Sequence, residues 1–192
     1  MILFRQALKG SLKVAAFEDG AFPTSKRGKC LLLGVLTSNS TILKVSLSLI
    51  TVDGLDATKK LVEMVEPWKE ETDLIMLSSL AYAGFNVMDP EEIYSRLKTP
   101  ILVVLSRRPR RKAVEKALKK HFQDWKVRLE ILRKVEKVSS MKLPGGKTYF
   151  SAFGMKPSEA EEILRKLTFF GGKPEPLRAA KLLVQGLGYW KG

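Results

Sequence analysis

Hydrophobic and polar positions in the first part of the chain predict three strands. Leu12–Phe17 and Cys30–Thr37 are largely apolar runs, and Ile42–Val52 partly alternates between apolar and polar residues. Only a short polar segment, residues 38–40, separates the second run from the third. This spacing predicts that the second and third strands form an antiparallel hairpin.

Two short, continuously apolar runs, Leu74–Leu77 and Ile101–Leu105, predict strands that are buried on both faces. The first run opens the stretch 73–89, which breaks at Ser78 and Ser79 and ends at Asp89. Ligands bind at the carboxyl ends of the central strands in sheets that contain parallel strands. The stretch 73–89 is therefore the predicted position of a functional site.

The remaining patterns predict helices, two further segments of sheet or loop, and the ends of elements. One helix is expected to begin after Asp56 as its N-cap and to end or kink at Pro67, and two more are expected at Glu91–Arg96 and over 113–122. Near the C-terminus, one helix is expected to begin at a capping box, Ser158–Glu161, and to end at Gly171–Gly172, and a last one to begin at Pro174. Strands are expected at Val127–Leu132 and Thr148–Phe153, and a loop at Lys137–Lys147. This order predicts an α/β fold: a mixed sheet with antiparallel N-terminal strands, flanked by helices, plus C-terminal helices. A ribonuclease H-like arrangement is one known solution with this order.

Charge is distributed unevenly over the 192 residues, whose net charge is +14. Residues 96–148 hold 17 Lys or Arg and 4 Asp or Glu, whereas residues 1–95 hold 10 and 12. This asymmetry predicts an anionic partner, most simply nucleic acid. The alternative is a solvated, lysine-rich surface of the thermophile type, but such surfaces carry matching glutamates that the middle segment lacks.

Several classes of protein are disfavoured by the sequence. No apolar run approaches the roughly 18 residues of a membrane span, and no signal peptide is predicted, so a soluble cytoplasmic protein is expected. The single cysteine, Cys30, excludes an intramolecular disulfide and a cysteine-built zinc site, and its apolar surroundings predict a core position. One histidine, His121, leaves little material for a Ser-His-Asp mechanism.

Carboxylates at or just after the predicted strand ends are the candidate metal ligands. They are Glu18, Asp19, Asp53, Asp56 and Asp89. A cluster of two to four carboxylates binds Mg²⁺ or Mn²⁺, the ions used in two-metal phosphodiester cleavage. The alternative interpretation is structural, because Asp19 and Asp53 precede glycines in turns and Asp56 is a helix cap.

Basic residues cluster after the strand at Ile101–Leu105, and together they predict contacts with phosphate oxygens. They are Arg107, Arg108, Arg110, Arg111 and Lys112. Cations at a helix N-terminus oppose the helix macrodipole, which indicates that an anion is held there, although a solvated helix start is the alternative.

Three residues near the end of the stretch 73–89 are further candidates for nucleic-acid binding. Tyr82 and Phe85 are expected to stack on a base, with Asn86 beside them. For Phe85, the alternative of packing in the core is favoured over stacking on a base.

Five segments in order along the chain resemble a known family. They are Phe17–Phe22, Val52–Thr58, Ala83–Asp89, Arg107–Pro109 and Pro174–Arg178. They resemble an archaeal family of uncharacterised proteins that is distantly related to endonuclease V. The resemblance implies one ribonuclease H-like, endonuclease V-like domain over residues 1–192. It also implies Mg²⁺- or Mn²⁺-dependent cleavage of DNA or RNA near a deaminated base such as inosine.

The same resemblance implies roles for individual residues. In the resemblance, the first-strand acid falls on Glu18 or Asp19. The positions of the acids at the predicted strand ends, and not the resemblance, add Asp53 as a third expected catalytic residue and Asp89 as a fourth expected metal ligand beside these three. The endonuclease V pattern also has an acid followed by glycine after the fourth strand, where this chain has Ser78–Ser79. A serine hydroxyl is a poor substitute for an anionic metal ligand.

Three hypotheses therefore stay open on the sequence. The first is a metal-dependent endonuclease. The second is a nucleic-acid-binding protein that keeps the fold but has lost a metal-ligating carboxylate at Ser78–Ser79. The third is a protein that binds a small phosphorylated ligand at the same strand ends.

Overall fold

The structure is a computed structural model that describes residues 10–22, 28–135 and 138–188. Residues 23–27, between the first two predicted strands, lie outside this description. Within them, the secondary structure consists of nine strands and six α-helices, with a 3-10 helix at Glu66–Glu71.

The strands are β1 (Lys13–Asp19), β2 (Lys29–Ser38), β3 (Thr41–Thr51), β4 (Leu74–Leu77), β5 (Ala81–Tyr82), β6 (Asn86–Val87), β7 (Ile101–Leu105), β8 (Ser139–Leu143) and β9 (Gly146–Phe153). Seven of these strands form one mixed sheet in the order β3-β2-β1-β4-β7-β9-β8, and β5 and β6 form a small separate hairpin.

The pairing of the strands confirms the predicted N-terminal hairpin. Strand β2 is antiparallel to both β1 and β3, whereas β1, β4 and β7 are parallel neighbours. The side chains of β4 are buried on both faces of the sheet, as its continuous apolar run predicts.

Helices cover both faces of the sheet and close two apolar cores. They are α1 (Ala57–Val65), α2 (Pro90–Leu97), α3 (Arg111–His121), α4 (Trp125–Arg133), α5 (Pro157–Leu167) and α6 (Glu175–Gly186). Side chains of α1 and α2 pack on one face, in a cluster with Phe17, Leu77 and buried Cys30. Side chains of α5 and α6 pack on the other face, in a cluster with Ala16 and Met76. The predicted end of α1 before Pro67 is confirmed.

The predicted strand at Val127–Leu132 is wrong, because these residues belong to α4. In a strand Val127 and Leu129 would share one face, but the exposed fraction is 51% for Val127 and 7% for Leu129. The burial of Leu129 next to Arg128 instead fits a helix. Six residues with apparent alternation are too few to separate the two periods.

Three smaller predictions also need correction. The predicted loop at Lys137–Lys147 contains β8, whose Met141 and Leu143 are buried between exposed polar residues. Helix α5 begins one residue before the predicted capping box, and the Glu159 carboxylate accepts a hydrogen bond from the backbone N–H of Lys156. The same helix ends at Leu167, before the two glycines.

Candidate functional site at the carboxyl edge of the sheet

The carboxyl ends of β1, β4 and β7 meet at one edge of the sheet. Phe17 is paired with Leu77, and Leu77 is paired with Val103, in the two parallel ladders. The residues that follow these strands therefore leave the sheet side by side. This register brings the acids of β1, the serine pair after β4 and the arginine cluster after β7 to one edge.

A cleft of about 560 Å³ opens at this edge, between the end of β4 and the α3–α4 pair. Its lining combines the serine pair, Phe85, an apolar wall and a set of arginines. The apolar wall includes Leu105, Val114, Ala117, Leu129 and Leu132, and the arginines are Arg107, Arg108, Arg110, Arg111 and Arg133. The described residues that line the cleft include no carboxylate, so its electrostatic potential favours an anion.

Asp19 and Asp53 bind the same tight turn, Ala83–Phe85, which joins β5 to β6. The backbone N–H of Ala83 donates to Asp19 Oδ2 at 2.7 Å, and that of Phe85 donates to Asp53 Oδ1 at 2.8 Å. The N–H of Asp53 in turn donates to the carbonyl of Ala83 at 2.9 Å. Because Phe85 lines the cleft, the turn connects both carboxylates to its edge.

The backbone around these carboxylates is strained. Asp53 has a φ of 57° and Ala83 a φ of 43°, both in the left-handed region that residues with a Cβ rarely adopt. Gly84 has a φ of 85°, and a Cβ at this position would lie 2.3 Å from Asp53 Oδ1. A glycine is therefore required for the close approach of Asp53. Such strain persists where the surroundings enforce it and is concentrated at functional sites.

Glu18 lies on the other face of the sheet from Asp19, because successive side chains of a strand point to opposite faces. Its carboxylate is buried and accepts a bond from Lys173 Nζ at 2.6 Å, with Lys181 Nζ at 3.9 Å. Asp19 instead follows the register of Phe17, whose core is the one that the cleft adjoins. Of the two candidate first-strand acids, only Asp19 shares a face with the cleft.

Asp89 is held elsewhere, at the start of α2. Its carboxylate accepts bonds from the backbone N–H groups of Glu91 and Glu92, at 3.0 and 3.3 Å, and from Lys134 Nζ at 2.8 Å. Burial would lower the pKa of Lys134, but its bonds to Asp89 and Glu91 outweigh this and raise the pKa. The predicted role of Asp89 as a metal ligand therefore competes with a cap and an ion pair.

The side chain of Asp56 is also committed to local structure. It accepts bonds from the backbone N–H of Thr51 at 3.0 Å and from Asn86 Nδ2 at 2.5 Å. Burial opposes ionisation of Asp56, yet these hydrogen bonds hold the pKa of its carboxyl below the ordinary value. Among the described residues, no three His, Cys, Asp or Glu side chains come together as a metal-binding group.

Tyr82 and Asn86 are buried, so neither presents a surface to a base. The Tyr82 hydroxyl donates to the carbonyl of Phe17 at 3.2 Å and accepts from the N–H of Ser78 at 3.3 Å, and burial raises the pKa of the phenol well above its ordinary value. Asn86 Oδ1 accepts from the N–H of Ala57 at 3.0 Å. Of the three candidates near this turn, Phe85 alone lines the cleft.

Arg128 is a site residue that the sequence interpretation missed. Its side chain is buried, and its guanidinium donates to the carbonyls of Gly54 and Phe85, at 2.8 and 2.5 Å. It therefore connects α4 with the two turns that carry Asp53 and Phe85. The available signal was Asp124, four residues earlier, but this i, i+4 pair has meaning only once the segment is recognised as a helix.

Phe122 completes this arrangement. Its ring lies 4.3 Å from the Arg128 guanidinium carbon and 5.6 Å, edge to face, from the ring of Phe85. The Asp124 carboxylate binds two guanidinium nitrogens of Arg128 at 2.8 and 2.9 Å, and this bond holds the pKa of Asp124 below its ordinary value. Phe85 is thus packed between the cleft and a cation–aromatic stack.

Comparison with known proteins identifies the family of this chain. A family model described as Endonuclease dU matches residues 10–187. The chain belongs to the Endonuclease dU family. A relative from Thermococcus gammatolerans, a UPF0215 protein, is 37% identical over 185 residues, which is 94% of each chain. The predicted resemblance to an archaeal family is confirmed by this match.

Solved structures agree with the family assignment. A protein of unknown function from Archaeoglobus fulgidus has a TM-score of 0.82 at 27% identity, covering 93% of this chain and 99% of that chain. Endonuclease V from Ciona intestinalis, solved with DNA containing inosine, has a TM-score of 0.61 at 11% identity, covering 94% and 87%. At that identity the likeness concerns the fold alone, and it confirms the predicted ribonuclease H-like class.

One further finding concerns membranes. None of the described helices is long and apolar enough to cross a bilayer.

Proposed function

We propose that this chain is a metal-dependent endonuclease that cuts a nucleic-acid strand next to a deaminated base, with deoxyuridine as the first substrate to test. The observation that carries the proposal is that Asp19 and Asp53 both bind one strained turn, Ala83–Phe85, which borders the arginine-lined cleft. Carboxylates beside a phosphate-binding surface are the arrangement that phosphodiester cleavage requires.

The cleft has the size and chemistry of a nucleotide site. Its volume of about 560 Å³ is that of a pocket for a small molecule. The arginines suit phosphate oxygens, and the apolar wall with Phe85 suits the face of a base. The family description, and the inosine-containing DNA bound by the endonuclease V of Ciona intestinalis, both support a deaminated base.

The carboxylates fit Mg²⁺ or Mn²⁺ as ions held jointly by protein and substrate. Mg²⁺ commonly binds to one or two carboxylates plus phosphate oxygens rather than in an all-protein cage. Asp19 Oδ2 is used by Ala83, whereas Asp19 Oδ1 accepts no hydrogen bond from the described residues. A bound ion would supply an activated water and would offset negative charge on the phosphate oxygens. Asp19 and Asp53 would hold it, and the arginines orient the phosphate backbone.

The test is a nicking assay on matched strands that contain deoxyuridine, inosine or no modified base, with Mg²⁺, with Mn²⁺ or with a chelator. The proposal predicts nicks next to deoxyuridine that need the metal and disappear in Asp19→Asn. Intact strands at high protein concentration with both metals would contradict it.

A second function, nucleic-acid binding without cleavage, is favoured by one specific observation. Ser78–Ser79 occupy the strand end between Asp19 and the arginines, and the described residues provide no third acid there. In this case the affinity of the protein for nucleic-acid strands depends on salt, but it does not change when metal is removed or when Asp19 is replaced in Asp19→Asn. Metal-independent binding without nicks would select this second function.

A further inference from the structure

The exposed face of α3 carries three lysines at positions i, i+4 and i+8. They are Lys112, Lys116 and Lys120, and all three are exposed. None of them makes an ion pair or hydrogen bond with the part of the chain that the structure describes. A helix rises about 1.5 Å per residue, so the three ammonium groups form a row about 12 Å long.

On other helices of the protein, basic side chains form ion pairs with acidic side chains of the same helix. Lys59 pairs with Glu63 on α1, Arg96 pairs with Glu92 on α2, and Arg178 pairs with Glu175 on α6. Such pairs at i, i+3 or i, i+4 are the usual surface arrangement on a helix. The lysine row of α3 lacks these partners.

Helix stability accounts for Lys120, which lies in the last turn of α3, but not for the start of the row. Lys112 lies in the first turn of α3, where a cation opposes the macrodipole, and this turn has no acidic residue. Glu115, the one acid of the helix, is already bound to Lys119 at 2.7 Å and to Arg133 at 3.6 Å. A polyanion on the outside of α3 would supply the missing charge.

The row is continuous with the proposed site at one end and with an aromatic depression at the other. Lys112 directly follows Arg111, which lines the cleft. Lys120 lines a depression of about 460 Å³ together with Trp125, whose indole ring lies 4.8 Å from Lys119 Nζ. An aromatic ring among lysines is a surface on which the bases of a single strand stack.

We infer that the outer face of α3 binds the nucleic-acid strand that continues from the cleft towards Trp125. A row of about 12 Å matches three to four nucleotides of one strand, at about 3.4 Å of axial length each. The inference rests on the proposed function only in that the partner is nucleic acid, and strand binding without cleavage satisfies it equally. It assigns to α3 the affinity for the flanking strand, separately from the reacting nucleotide.

The test compares the triple variant K112Q/K116Q/K120Q with the control K142Q/K147Q/K156Q, which removes the same charge from other exposed lysines. The probes are single strands of about 3 and about 20 nucleotides with one central deoxyuridine. At about 3.4 Å per nucleotide, the short strand fills the cleft alone, whereas the long strand fills the cleft and continues along α3. Binding is measured as a function of salt, with a chelator present to prevent cleavage.

The inference predicts that the α3 variant binds the long strand at least about tenfold more weakly, with a salt slope smaller by about 2 units, since each single-strand phosphate contact contributes about 0.7. Its affinity for the short strand, and both affinities of the control, should be nearly unchanged. Equal losses in both variants, or no loss in the α3 variant, would overturn the inference.

Two further outcomes separate this inference from the proposed function. If strands bind through α3 but are never cut, the inference about α3 is supported and the proposed endonuclease activity is contradicted. If the α3 variant cuts strands with the same dependence on strand length as the unmodified protein, the inference about α3 is contradicted and the endonuclease activity is supported. Lysine-dependent binding to vesicles of phosphatidylserine, without binding to the long strand, would also overturn it.

Discussion

Glu18 and Asp19 are neighbours in the sequence, yet they occupy opposite environments at the end of β1. Glu18 is buried on the face covered by α6 and is neutralised by two lysines. Asp19 is half-buried on the other face and binds the turn that borders the arginine-lined cleft. One residue of register therefore separates a structural ion pair from a candidate metal ligand.

The difference shows that the sequence position of an acid at a strand end is not enough to assign its role. The side-chain alternation of the strand decides which face it reaches, and the partners on that face decide what it can do. On the Glu18 face, cations have already taken up the charge. On the Asp19 face, the strained turn and Arg128 hold two carboxylates beside the arginine-lined cleft.

The largest effect on stability is expected from breaking the support of the Asp19 face. Arg128→Met deletes the buried guanidinium, so the carbonyls of Gly54 and Phe85 lose the hydrogen bonds that it donates. The free energy of unfolding, measured in urea, should fall by about 3 kcal/mol. Lys126→Met, exposed on the same helix, is the control and should change it little. Equal effects would mean that Arg128 does not support the turns.

The next effect tests the close approach of Asp53 to its turn. Gly84→Ala adds a Cβ that overlaps Asp53 Oδ1 in a left-handed backbone, and should cost about 1–3 kcal/mol and most of the nicking activity. Gly171→Ala is the matched control, because Gly171 also has a positive φ, 59°, but no heavy atom lies within 4 Å of the added Cβ. Unchanged nicking activity in Gly84→Ala would mean that Asp53 is not part of the catalytic site.

A smaller effect is expected on the Glu18 face. Lys173→Met leaves the buried Glu18 carboxylate with only the longer contact to Lys181, and should lower the free energy of unfolding by about 1–2 kcal/mol. Activity per folded molecule should stay the same, since this face does not adjoin the cleft. A variant that folds normally but no longer nicks would contradict the division between the two faces.

The smallest effect concerns acid stability. The Arg128 guanidinium lowers the pKa of Asp124 below 3.8, so this pair stabilises the folded state above that pH, and its contribution is lost as the pH falls through the lowered pKa. Asp124→Asn should therefore flatten the loss of stability below about pH 4 in urea titrations. Glu130→Gln, exposed on the same helix, should leave the profile unaltered.

The sequence predicted most of the sheet, because most of its strands are continuous or alternating apolar runs. The β2–β3 hairpin and the buried β4 and β7 follow directly from the spacing of apolar residues. Helix α4 was not predicted, since Val127–Leu132 alternates over six residues and its burial is decided by distant contacts. Missing α4 also meant missing Arg128, whose partners come from turns far away in the chain.

The candidate site was predicted in part. The edge at Ser78–Ser79 and the cluster Arg107–Arg111 come together because parallel strands share one carboxyl edge. The choice between Glu18 and Asp19 was beyond the sequence, since it depends on which helices cover each face. The β5–β6 turn was also missed, because its two-residue strands leave almost no periodic signal.

The most direct test of the account compares Asp19→Asn with Glu18→Gln in the deoxyuridine nicking assay, with the unfolding of each variant followed in parallel. Asp19→Asn should lose at least about 100-fold in activity and stay folded, whereas Glu18→Gln should lose stability and keep its activity per folded molecule within about threefold. Retained nicking in Asp19→Asn, together with its loss in folded Glu18→Gln, would contradict the placement of the site on the Asp19 face.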